Sequence, residues 1–377
     1  MNQRLLHTPE GVRDIYGKEY AKKLAVENQL HELIAGYGYE DIQTPTFEYF
    51  DIFSKEIGTI PSKELYKFFD KEGNTLVLRP DFTPSMARCA AKYFMEEKHP
   101  IRFTYKGNTY TNTSNLQGKL KEVTQMGVEL INDPSVEADA EMIALVVESL
   151  KSVGLREFQV SIGQVEYFKG LCQEAGLDEE TEMDLRACIS GKNFFAAQEL
   201  LRDRKVSDPY REVLLKVADL FNSMTSLNDA KKLVHNERSL AAIERLEKLD
   251  AVLKLYGVDA YVSYDLGMLS KYNYYTGVIF KAYTFGVGNA IITGGRYNTL
   301  LSRFGKDAPA IGFAIVIDDL MEAMSRQKSE PETPQIEALT YDPEIPGDFE
   351  KALLLARSLR EQGKRISLLA MVKDGKE

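Results

Sequence analysis

Cysteine is scarce in this sequence: Cys89, Cys172 and Cys188 form no CxxC or Cys/His spacing, and an odd count argues against a disulfide framework. Buried free thiols are expected. Long apolar runs are absent too; nothing approaches the ~18 consecutive residues of a membrane span. The stretch Met1-Asn2-Gln3-Arg4-Leu5-Leu6-His7 lacks the apolar core of a secretory signal, so a cytoplasmic location is expected. Histidine is equally sparse: His7, His31, His99 and His235 fit no metal-ligand pattern, and no metal or other cofactor is expected. The glycines form no G-x-x-x-x-G-K-[ST] phosphate loop. A net charge of -10 and a pI near 5.2 leave little scope for a large nucleic-acid surface, because phosphate binding rests on Lys and Arg.

What is present suits a multi-domain globular protein. The 377 residues, 44% hydrophobic and 28% charged, can bury a substantial core shared among two or three domains. Residues 17–36 carry Tyr20, Leu24, Val26, Leu30 and Leu33 at helical spacing, ending at Gly36-Tyr37-Gly38. A short strand over Asp41–Pro45 follows. Alternation in Ile101–Tyr105 and Val123–Leu130 predicts paired antiparallel strands. It sends Gln125, Gly127 and Glu129 to one face and Val128 and Leu130 to the other. The loop between them is polar and uncharged, with Lys119 and Lys121 the only cations expected near it.

Residues 165–255, rich in Leu, Ala, Glu and Lys, predict several helices, one spanning Ala241–Leu253. The segment 326–334, with its two prolines, is expected to link a core over 1–325 to a small unit over 335–377. In that unit a helix over Phe349–Gln362 and a strand over Arg365–Val372 are predicted.

Three stretches carry more specific information. The first runs from Leu78-Arg79-Pro80-Asp81-Phe82-Thr83 through Tyr110-Thr111-Asn112-Thr113 and Gln117-Gly118-Lys119-Leu120-Lys121 to Gln125-Met126-Gly127-Val128-Glu129. The second joins Ser270-Lys271-Tyr272-Asn273-Tyr274-Tyr275 to Thr293-Gly294-Gly295-Arg296-Tyr297, and the third is Gly312-Phe313-Ala314-Ile315-Val316-Ile317-Asp318-Asp319-Leu320. In this order they resemble the catalytic core of histidyl-tRNA synthetase, a class II aminoacyl-tRNA synthetase. The resemblance implies an α+β fold: a class II core with an antiparallel sheet flanked by helices, a helical insertion, and a small partial C-terminal α/β segment.

The departures from that pattern fall on charge. Where the synthetase motifs carry arginine, this chain has Thr111, Ser270 and Asp319, and a glutamate has become Thr113. Adenylate chemistry depends on pre-placed positive charge, and losing one such group costs about a hundred- to a thousand-fold in rate. No catalytic residue is therefore assigned. The positions that would read an amino acid are kept or changed gently: Asp81 for glutamate, with Thr83, Gln125, Glu129, Tyr274 and Tyr275. A carboxylate can hold an α-ammonium and a tyrosine can bond an imidazole nitrogen.

This combination is similar to the regulatory-subunit family of ATP phosphoribosyltransferase, over about residues 5–325. That resemblance implies a short catalytic partner, self-association as a dimer, histidine as effector, and no tRNA binding. The chain has no phosphoribosyltransferase motif of its own. Two alternatives stay open: a histidine-activating ligase using Lys119, Lys121 or Lys271, and a free-standing histidine- or tRNA-binding paralogue.

Overall fold

The alternating patterns assemble into a sheet of eight strands in this computed structural model, which describes residues 6–53, 60–113, 120–217, 224–270, 274–333 and 335–371. In chain order the strands are β1 (Glu40–Asp41), β2 (Phe47–Tyr49), β3 (Lys67–Phe69), β4 (Thr75–Leu78), β5 (Ile101–Tyr110), β6 (Glu122–Ile131) and β7 (Phe158–Gln164). They continue with β8 (Val262–Tyr264), β9 (Val278–Thr284), β10 (Ile292–Arg296), β11 (Ala310–Val316), β12 (Ile336–Tyr341) and β13 (Arg365–Ala370). The large sheet has the order β1-β5-β6-β11-β10-β9-β7-β8 and is antiparallel except for its two edge pairs, β1–β5 and β7–β8. A second sheet, β2-β4-β3, is antiparallel.

The helices are α1 (Gly17–Gly36), α2 (Thr83–Tyr93), α3 (Val136–Ser152), α4 (Val165–Glu174), α5 (Glu179–Ser190), α6 (Phe194–Asp203), α7 (Asp208–Lys216), α8 (Met224–Lys232), α9 (Glu237–Tyr256), α10 (Ile317–Arg326) and α11 (Asp348–Glu361). Ser135 caps α3, its side chain accepting from the Ala138 N–H, and the helix is apolar nearly all round from Ala138 to Leu150. Such a helix must be buried. Its Met142, Ile143, Leu145 and Val146 belong to one core cluster with Val128 and Leu130 of β6 and with Ile243, Leu246 and Leu249 of α9. The face of β6 read as apolar is thus the core face.

Two compact units emerge, residues 1–15 with 26–330 and residues 16–25 with 331–377. Within the smaller one, β12 and β13 pair in parallel and α11 packs Phe349 against Tyr341, ring centroids 4.9 Å apart. Among the described residues no helix is long and apolar enough to cross a membrane.

Some local expectations change. Along α1 the buried stripe is Val26, Leu30 and Ile34, while Tyr20 and Leu24 are exposed. The strand expected over Asp41–Pro45 is only Glu40–Asp41, because its pairing with β5 covers two residues. Of the three thiols only Cys172 is buried; Cys89 and Cys188 are half-buried, and all three are free.

Candidate functional site

Register builds the site. Opposite residues in a sheet point to the same face, so Phe103, Glu129, Gly312, Gly295 and Ile279 form one row across five strands. The two glycines leave room over the sheet. A Cβ on Gly312 would lie 1.8 Å from a Glu129 carboxylate oxygen, and one on Gly295 would lie 2.8 Å from the Tyr275 ring. Gly295 and Gly312 therefore serve close approach to the wall of a cavity, whereas Gly294, the other member of the pair in the sequence, packs on the opposite face against the Phe280 ring.

That cavity, about 140 Å³, is lined by Asp81, Thr83, Gln125, Glu129, Tyr274 and Tyr275. All six residues expected to read an amino acid thus face one space. Tyr297, Thr293 and Ile60 complete much of the wall. A cavity of ~150 Å³ holds a benzene-sized ring, so this one suits a small amino acid side chain.

Hydrogen bonds hold the two carboxylates in place. Asp81 sits just before α2, and one of its carboxylate oxygens accepts from the Thr83 N–H at 3.1 Å. The Thr83 hydroxyl donates to one oxygen of Glu129 at 2.9 Å, and the Tyr297 phenol donates to the other. Glu129 is nevertheless buried with no cation among the described lining residues, and desolvation pushes its carboxyl up to about 8, against the pull of those two hydrogen bonds. Burial raises Asp81 as well. The Gln125 carbonyl oxygen is buried with no hydrogen-bond partner. The site holds two carboxyl groups and neutral hydroxyls, with no Lys, Arg or His among its described lining residues.

The wall is braced from behind. Arg296 lies between the glycine pair and Tyr297, and its guanidinium donates to Asp139 at 2.6 Å and to the carbonyls of Asp133 and Ser135. Arg245 of α9 reaches the other oxygen of Asp139 at 2.7 Å. Both Asp139 and Arg296 are buried.

Thr111, Ser270 and Asp319 lie outside the cavity lining. Thr111 donates its N–H to the Lys121 carbonyl, Ser270 is buried, and Asp319 stands in the first turn of α10 beside Asp318, which accepts from the Thr124 N–H at 2.7 Å. Lys119 and Lys271 fall outside the described residues. Most of the loop expected to be polar and uncharged, residues 114–119, also lies outside the described residues. Arg79 stands beside the end of β5, its carbonyl accepting from the Tyr110 N–H. Its guanidinium is committed, donating to the carbonyls of Thr44, Pro45 and Asn108 while lying 4.0 Å from the centre of the Phe82 ring. Among the described residues no His/Cys/Asp/Glu group could hold a metal ion.

Comparisons with known proteins identify the fold and the family. A family model described as histidyl-tRNA synthetase matches residues 11–320. An ATP phosphoribosyltransferase regulatory subunit of Ruminiclostridium cellulolyticum is 41% identical over 373 residues, covering 99% of this chain and 88% of the relative. The chain belongs to the family of ATP phosphoribosyltransferase regulatory subunits. A solved structure from Bacillus halodurans, described as an ATP phosphoribosyltransferase regulatory subunit/histidyl-tRNA synthetase, matches with a TM-score of 0.88 and 34% identity, over 98% of this chain and 94% of that one. The histidyl-tRNA synthetase of a Nostoc species shares the fold, with a TM-score of 0.80 at 18% identity over 98% of this chain and 86% of that one. This chain thus has the class II synthetase fold.

For this family member, Tyr297 was the residue missed in the sequence. Its position after Gly294-Gly295-Arg296 was visible, but not its bond to a glutamate on β6. Alternation had already placed Glu129 on the pocket face, and a phenol two residues beyond a glycine pair was the one available sign of a partner.

Proposed function

We propose that this chain is a non-catalytic regulatory subunit of a hetero-oligomeric ATP phosphoribosyltransferase, which binds a short catalytic subunit and carries the histidine feedback signal through the cavity at Glu129. The observation that carries the reading is a division within one site. Six residues suited to an amino acid share one cavity, while the three positions where a synthetase would grip phosphate hold Thr111, Ser270 and Asp319. Histidine offers the groups the cavity lacks: an ammonium for Glu129, Asp81 and the Gln125 carbonyl oxygen, and a ring for Tyr274 and Tyr275. Binding tRNA has no place in this reading, and pairing of two copies of the chain is part of it.

The test mixes the purified chain with a short catalytic subunit from the same cell. Co-elution on size exclusion and phosphoribosyl transfer rising well above that of the short subunit are expected, together with inhibition by histidine. Glu129→Ala should keep assembly and move inhibition to higher histidine by about ten- to a hundred-fold, the worth of a charge-assisted hydrogen bond. Separate elution with unchanged activity of the short subunit sinks the reading. The chain alone should not exchange pyrophosphate into ATP when histidine is present.

A further inference from the structure

The cavity contains two carboxyl groups and no Lys, Arg or His among its described lining residues. Resting on the reading of this cavity as an amino-acid site, we propose that it exchanges a proton for its ligand: empty of ligand, Asp81 and Glu129 retain one proton, and an entering ammonium group displaces it to solvent.

Among the described residues, the groups facing Glu129 offer no positive charge to balance its own. From the start of α2 come Asp81 and the Thr83 hydroxyl, and from β5 comes Tyr105, whose buried hydroxyl has no hydrogen-bond partner. Tyr275 and Tyr274 face it from the segment before β9, Tyr297 from the end of β10, and from β11 come Gly312, Phe313, Ala314 and Val316, none of them charged. These are hydroxyls and carboxyls, and none supplies a positive charge. Two ionised carboxylates in one small buried space repel each other and lose hydration together, so one stays protonated. That Glu129 is pushed up to about 8 agrees with this arrangement.

An ammonium group changes the balance because it brings a charge and three donors. One donor meets Glu129, one meets Asp81, and one meets the unpartnered Gln125 carbonyl oxygen. The carboxyl proton is then superfluous. Since the ligand-free site holds the extra proton, binding must strengthen as pH rises, by about tenfold per unit until the carboxyl ionises by itself.

Calorimetry of the full chain decides the matter, with L-histidine as probe at pH 7.2 in two buffers of different ionisation enthalpy. A histidine analogue with a triazole ring serves as second probe, so that ring protonation contributes nothing. Infrared spectroscopy of the ligand-free protein looks for the carbonyl band of a protonated carboxyl. The expected result is close to one proton released per ligand, a Kd for the triazole analogue that falls about tenfold from pH 6 to 7, and an infrared band missing from Glu129→Gln. Tyr297→Phe, which removes a donor from the carboxylate, should move the pH of half-release upward. Binding with no proton released overturns the exchange and leaves the amino-acid reading standing. Failure of both probes to bind at any pH overturns the two together.

Discussion

Tyr297 donates its phenol hydrogen to Glu129 from 168 positions further along the chain, and this bond ties the end of β10 to the C-terminal part of β6 across the intervening strand β11. It matters most when the carboxyl is ionised, because a charged acceptor makes the stronger bond. Tyr297→Phe should therefore cost about 1–3 kcal/mol of stability at pH 8.5, and distinctly less at pH 5.5. Urea unfolding at the two pH values measures this difference. Equal losses at both would mean that the bond does not depend on the charge of Glu129.

The same carboxyl sets a slope of stability with pH. Its ordinary value is 4.5, and in the folded chain it rises to about 8, so between these limits the folded state holds the extra proton. Stability contributed in this way is complete at the acid end and falls as pH rises from about 4.5 to about 8. Asp81, also raised, adds in the same direction. Glu129→Gln should flatten the profile, with a parent-minus-variant difference on the order of a few kcal/mol across the window. Melting temperature measured every half pH unit reads it directly, and parallel profiles would refute it.

Much of this was legible in the sequence because its signals are local. The alternation in Val123–Leu130 assigned the faces of β6, and Gln125 and Glu129 do line the cavity while Val128 and Leu130 enter the core. The helical character of 165–255 was carried by composition alone. Other features depend on pairing between distant segments. Nothing local indicates that β1 pairs with β5 over just two residues, or that Ile336–Tyr341 forms a strand beside β13. The polarity of α1 misled because Tyr20 and Leu24 have helical spacing, yet Ile34 rather than either continues the buried stripe of Val26 and Leu30. The Asp139 clasp was hidden for the same reason: Arg296 was read within its motif, and its partner is 157 residues away.

That clasp is expected to be a main support of the site wall. Asp139 is fully buried and meets guanidinium groups from β10 and α9, and Arg296 is nearly as deep. Removing one member of such a cluster leaves an uncompensated buried charge, which costs about 3–5 kcal/mol. Arg296→Met should show that loss in chemical denaturation. Arg245→Ala should cost less, because the Arg245 side chain is 27% exposed and water can replace part of what it provides. A reversed order would place the strain elsewhere.

Gly312 gives the sharpest steric test of the cavity. A Cβ there would stand 1.8 Å from a Glu129 oxygen and 2.4 Å from the Val128 carbonyl oxygen, so Gly312→Ala must push the carboxylate away from its place beside Tyr297. Overpacking of this kind costs about 1–3 kcal/mol, and histidine affinity should fall with it, since the displaced group is the proposed ammonium acceptor. Gly288→Ala is the control: a Cβ at Gly288 meets nothing within 4 Å, and the change should stay within about 0.5 kcal/mol. Adding Glu129→Ala to Gly312→Ala removes the closer of the two clashes, so the second substitution should cost less in that background than in the parent, the remainder coming from the Val128 carbonyl. A double-mutant cycle by urea unfolding measures the coupling. Strict additivity would show that the alanine does not press on Glu129, and that the space above Gly312 is not what allows the carboxylate to face the cavity.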